Sequence, residues 1–160
     1  MSAFPALIER LETEVLVDHG SFDLIDDSGE QDAPAGGDWL SPGLPGGGWL
    51  SAGRNMITVV SASTRHHVAA VTVEAWEAQP APAPGWADMT ETSVILDSGF
   101  LEINPLVDGE DADDITVGGA GAYRVRAYVT GRAELQAATP PPDVELHGVE
   151  RYLLQIWPAP

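Results

Sequence analysis

The chain has 160 residues, 44% of them apolar, and sets 25 acidic side chains against seven basic ones, all arginine, for a formal charge of -18. That charge excludes nucleic acid and anionic membrane as partners and favours basic proteins or cations. The complete lack of cysteine removes disulfide scaffolds, thiol nucleophiles, zinc ribbons and iron–sulfur clusters. Enough Val, Ile, Leu and Trp is interspersed among the acids for a chain of this size to bury an ordinary core and fold as one domain.

In chain order, Phe4, Leu7, Ile8 and Leu11 follow helical spacing and Pro5 suits a first turn, which predicts a short N-terminal helix or arm over residues 1–12. Glu9, Arg10, Glu12 and Glu14 interrupt the apolar run a secretory signal needs, and no apolar stretch of about 18 residues exists elsewhere, so a cytoplasmic protein is expected. Residues 14–25 read as two strands or one bent strand, with the bend at Asp18-His19-Gly20-Ser21. The segment 36–53 carries a near-repeat, Trp39-Leu40-Ser41 and Trp49-Leu50-Ser51, around Pro42-Gly43 and Gly46-Gly47-Gly48. Its two indoles are either packed under a sheet edge or exposed as a recognition platform.

Residues 54–62 and 67–77 alternate apolar and polar side chains (Ile57, Val59; Val71, Val73), and the Ser63-Thr64-Arg65-His66 connection suits a hairpin. The run 79–85, with Pro80, Pro82 and Pro84, cannot pair in a sheet and is read as a stiff connector. Strands are then predicted over 89–96, 99–104, 122–130 and 150–157, separated by two long loops, 105–121 and 132–148. Seven or eight short strands bounded by Gly, Pro and Asp point to an all-β sandwich or barrel, and an antiparallel sandwich over 13–158 is expected.

The order of these pieces carries a resemblance. Gly20-Ser21-Phe22-Asp23, a central hairpin, an acidic strand start at Glu91, Ser98-Gly99-Phe100-Leu101-Glu102-Ile103, Gly121-Ala122-Tyr123-Arg124-Val125-Arg126-Ala127-Tyr128-Val129 and the closing Glu150–Ala159 strand resemble the competence-J-type proteins. The resemblance implies a small acidic β-sandwich that binds protein, the type member being an inhibitor of a DNA-entry nuclease. It carries over no individual site residue.

Candidate sites therefore come from the residues alone. Asp108, Glu110, Asp111, Asp113 and Asp114 place five carboxylates in seven residues. Closely spaced carboxylates imitate phosphates and can meet a Lys/Arg cluster, although a solvated loop or a calcium loop without the helix–loop–helix spacing would use the same residues. Asp26 and Asp27, with Glu30 and Asp32, could extend that face, and Trp39 and Trp49 could supply its apolar anchor. His66 and His67 are adjacent on a strand and so point to opposite faces, which disfavours a shared metal, and no serine has a nucleophile-elbow setting. Arg124 and Arg126 project from one strand face and are expected to form cross-strand ion pairs with Glu150 or Glu74.

The expectation is a non-catalytic acidic binding protein without metal or cofactor that occludes the cationic groove of a nuclease or toxin. A carbohydrate- or small-ligand-binding module and a self-assembling structural component are the alternatives.

Overall fold

A computed structural model describes residues 5–17, 20–29, 48–63, 65–103, 113–139 and 144–160. Their order is β1 (Leu7–Val17), β2 (Ser21–Ile25), β3 (Leu50–Ala52), β4 (Met56–Val60), β5 (His67–Trp76), β6 (Asp88–Leu96), β7 (Phe100–Ile103), β8 (Asp113–Thr116), β9 (Gly121–Thr130), α1 (Arg132–Ala137) and β10 (His147–Pro158). Two five-stranded sheets face each other, β1-β5-β10-β9-β6 (sheet A) and β3-β4-β2-β7-β8 (sheet B). All pairs are antiparallel except β5 with β10. No described helix is long and apolar enough to cross a membrane.

The core is the set of inward positions that strand alternation selects. Val15 and Val17, Ala69, Val71 and Val73, Val125, Ala127 and Val129, and Tyr152, Leu154 and Ile156 come from sheet A, and Phe22, Leu24, Ile57, Val59, Leu101, Ile103 and Ile115 from sheet B. Phe22 and Tyr152 join the sheets edge to face, with ring centroids 5.3 Å apart.

Three expectations are corrected. Residues 7–11 are strand, not helix: β1 pairs with β5 from Leu7↔Trp76 to Val17↔His67. A two-turn helix is too short to hold itself, whereas the ladder along β5 satisfies its backbone and buries Val15 and Val17. The 63–66 connection is not a hairpin, because β4 lies in sheet B and β5 in sheet A, so it crosses between the layers. Finally, the described residues hold ten strands: β3 falls within the second Trp-Leu-Ser unit, β8 within the predicted 105–121 loop, and the 132–148 loop opens with α1. Gly131 precedes α1 at φ 90, where a side chain would strike the Val149 carbonyl, so this turn needs glycine.

Candidate functional site: an acidic seam between the sheets

The edge strands β1 and β8 meet along one side of the sandwich. Glu9 Oε2 accepts the Thr116 N–H at 2.6 Å, and the Thr13 hydroxyl donates to the Asp113 carboxylate. These contacts cap the β8 edge with β1 side chains and bring carboxylates of both sheets together. Glu9, Glu12 and Glu14 on β1 and Asp113 and Asp114 on β8 are all exposed. Asp114 pairs in register with Glu102, and Glu102 with Ile25, so this row crosses sheet B over about 10 Å at ordinary strand spacing. Asp27 stands exposed two residues past its end. The cation within β1 is Arg10, engaged by Glu12 at 2.9 Å and Glu74 at 3.4 Å. His147 lies 3.6 Å from Glu14 and 3.2 Å from Glu145, which also meets His66 at 3.3 Å.

Of the residues singled out in the sequence, Asp113 and Asp114 lie on this seam, and Asp27 stands on the far side of the row, two strands away past the end of β2. Asp108, Glu110, Asp111, Glu30, Asp32 and Trp39 lie outside the described residues. Asp26 does not offer its charge to a partner. It is fully buried, and its carboxylate accepts the N–H and hydroxyl of Ser28, the N–H and hydroxyl of Ser98 and the N–H of Gly99, at 2.6–3.1 Å. Burial works against the charge, but the bonds from Ser28 and Ser98 outweigh it and bring the pKa down to about 2. Asp26 thereby locks the β2 exit to the β6–β7 turn. Beside it Asp97 accepts from Arg54 at 2.6 Å and Asn55 at 2.8 Å, and these bonds hold its carboxyl below the ordinary range.

Trp49 is packed rather than displayed. It is 6% exposed, its indole N–H donates to Asp88 at 3.2 Å, its ring lies 5.8 Å from Tyr152, and the Arg132 guanidinium sits 5.7 Å over it. Its role as an apolar anchor on the surface is therefore corrected: the second half of the repeat is an edge strand whose indole fills the sandwich end.

Beneath Trp49 lies a buried polar cluster that the sequence did not reveal. Glu150 and His67 are fully buried, Ser61 Oγ is 3.0 Å from His67 Nε2, Glu150 Oε1 is 3.9 Å from that same nitrogen, and Glu150 Oε2 accepts the Ala62 N–H at 2.9 Å. Arg132 stands 3.9 Å from Glu150 and donates to the Val60 carbonyl. Serine and carboxylate both address Nε2, whereas a hydrolytic triad needs the acid on the opposite nitrogen, Nδ1. Burial holds the His67 pKa down and, with the Glu150 charge adding to it, pushes the Tyr152 phenol up. The cluster ties the sheet-crossing 61–66 segment and α1 to β10.

Arg124 and Arg126 do form cross-strand pairs, but with Glu91 on β6, at 3.7 and 3.9 Å, not with Glu150 or Glu74. Arg126 belongs to a register row that crosses all of sheet A: Arg10↔Glu74, Glu74↔Gln155, Gln155↔Arg126 and Arg126↔Glu91. Charges alternate along it around the neutral Gln155, whose amide N–H donates to Glu74 at 3.3 Å while Trp76 donates to the same oxygen at 3.0 Å. Arg126 is 3% exposed and stacks 5.0 Å over Trp157.

No protein-family model and no curated protein matches the sequence. Solved structures do match the fold. ComJ from Bacillus subtilis, described as an inhibitor of the DNA-degrading activity of NucA, superposes with a TM-score of 0.59 at 10% identity, covering 98% of this chain and all of that one. The product of crocagin biosynthetic gene J superposes with a TM-score of 0.56 at 14% identity, covering 96% of this chain and all of that one. The two-sheet body described here is thus a ComJ-like fold, as the strand order of the sequence implied.

Proposed function

We propose that this protein is an acidic binding protein that inhibits a basic protein partner, a nuclease or nuclease-like toxin, by seating its carboxylates in the cationic groove that otherwise holds nucleic-acid phosphates. The observation that carries the reading is the seam: Glu9 and Asp113 join the edge strands β1 and β8, with exposed Glu12 and Glu14 flanking them on β1 and exposed Asp114 on β8, while Arg10, Arg54, Arg124, Arg126 and Arg132, five of the seven arginines, are engaged with carboxylates of the same chain. These pairs leave an edge rich in exposed carboxylates. The fold likeness to a nuclease inhibitor supports the same reading.

Asp113, Asp114 and Asp27 are assigned to the contact, joined by Asp108, Glu110 and Asp111 of the adjoining acidic run. Trp39 is the remaining candidate for an apolar anchor, since charge alone gives rate and specificity more than residence time. Long-range attraction speeds association and weakens as salt shortens the screening length, about 10 Å at 0.1 M.

The test is to isolate the protein that co-purifies with this chain from its host and to assay its degradation of DNA, an activity the proposal requires it to have. Wild type is expected to suppress it at a 1:1 ratio with an affinity that falls as salt rises, and the Asp111→Asn/Asp113→Asn/Asp114→Asn protein to suppress it poorly. Full suppression by that variant at all salt concentrations would remove the electrostatic reading.

A further inference from the structure

The proline-rich connector between β5 and β6 is a docked ligand of the chain's own sheet. From Pro80 to Trp86, Pro80 is buried, Ala83 and Trp86 are half-buried, and Ala81, Pro82, Pro84 and Gly85 are exposed. The three-residue spacing from Pro80 to Ala83 is the period of a polyproline II helix, and prolines at alternate positions favour that conformation; at Gly85, φ 87, the chain turns out of it and sets Trp86 beside Tyr128. Each contact has a named partner on the outer face of sheet A. The Pro80 carbonyl accepts from Arg126 at 3.2 Å, the Ala83 N–H donates to the Tyr128 hydroxyl at 2.9 Å, and the Trp86 ring lies 6.0 Å from that of Tyr128.

The receiving surface is fixed in place. Arg126 is stacked on Trp157, stands 3.5 Å from both Gln155 and the Tyr128 hydroxyl, and is held from β6 by Glu91. Trp157 and Tyr128 are themselves buried. One turn of polyproline II is about 9 Å long, so the Arg126 and Tyr128 heads read a carbonyl and an N–H one turn apart, and the aromatic walls take the residues on the inward edge. Aromatic-lined surfaces with such polar heads are a recurrent way of binding proline-rich segments.

We infer that the outer face of sheet A, around Arg126, Tyr128 and Trp157, is a polyproline-binding groove that the 80–86 segment occupies in cis. It accepts a proline-rich extended segment of another polypeptide once that strap is loosened. The covalent connection keeps the resident strap at high effective concentration, so the groove of the wild-type protein is closed to competitors.

Two experiments decide it. In the Pro80→Gly/Pro82→Gly/Pro84→Gly protein the strap loses its preference for the extended helix. Titration with the peptide QPAPAPGW, followed by NMR, is then expected to shift the Trp157 indole resonance saturably, with affinity about tenfold or more above that for wild type. A folded variant that gives no saturable shift, or that responds equally to a peptide of the same composition in altered order, overturns the inference. Independently, Tyr128→Phe removes the acceptor of the Ala83 N–H and is expected to speed hydrogen exchange at Ala83 about fivefold or more while the β9 and β10 amides keep their protection. An Ala83 amide that exchanges at the wild-type rate in that variant contradicts the groove even if the glycine variant does not fold.

Discussion

The two flanks of sheet A use charge in opposite ways. Across its outer face, Arg10, Glu74, Gln155, Arg126 and Glu91 fall in one register row, and the inner members of that row are buried and hydrogen-bonded. Along the β1–β8 edge, Glu9, Glu12, Glu14, Asp113 and Asp114 remain exposed to solvent. The same residue types thus serve packing specificity in the first region and an external field in the second. Arginine placement separates them: Glu74, in register with Arg10, and Glu91, in register with Arg126, are tied across the sheet, whereas on the edge the Glu12–Arg10 pair is exposed and Glu9 and Asp113 accept only from Thr116 and Thr13 while facing solvent.

Exchanging the two roles by mutation tests the contrast. The largest effect is expected from neutralising the seam. Glu12→Gln/Glu14→Gln/Asp113→Asn/Asp114→Asn should weaken binding to the cationic partner about a hundredfold or more at low salt, read by calorimetric titration, with little loss of thermal stability. Arg126→Ala should do the reverse. It strips the buried row of its central cation, the Trp157 stacking and the bond to Pro80, and should cost about 2–3 kcal/mol in denaturant unfolding while leaving partner affinity unchanged.

Asp26→Asn follows in size, because an amide cannot match a carboxylate that accepts five bonds; a loss of about 2 kcal/mol is expected at neutral pH. Its pH signature is specific. The folded-state pKa of Asp26 is lowered to about 2 from 3.8, so its contribution is complete above the unfolded value and is lost as pH falls from about 4 to about 2. His67, whose pKa is also lowered, from 6.5, stabilises the neutral imidazole, so a separate loss begins as pH drops below the unfolded value. Wild type should show both declines in unfolding free energy, and Asp26→Asn only the earlier one. The smallest effect is that of Glu12→Gln alone on stability, within about 0.5 kcal/mol by thermal melt, since its pair with Arg10 is exposed.

The strands were legible wherever β-branched residues alternate. Residues 56–60, 67–76, 88–96 and 121–130 were read within a residue or two, and their inward positions, Ile57, Val59, Val71 and Val73, are core. What escaped depends on partners distant in sequence. Strand β8 holds a single apolar residue, Ile115, and exists because β7 pairs with it. A turn sequence such as 63–66 looks the same whether it closes a hairpin or crosses between sheets.

Part of the seam was missed for the same reason. Glu9, Glu12 and Glu14 read only as interruptions of the apolar run that a secretory signal needs, and the β1–β5 register is what sets them along the strand whose Thr13 meets Asp113. Glu91 could not be chosen over Glu74 or Glu150 for Arg126 without knowing which strand lies beside β9.

The most direct measurement is the affinity for the proposed partner, a cationic nuclease, taken for wild type and the four-fold neutralised seam protein across a series of salt concentrations. A steep salt dependence for wild type that is largely abolished in the variant, together with lost inhibition of DNA cleavage, is the predicted result. Equal affinity of the two proteins at every ionic strength would contradict capture through the seam.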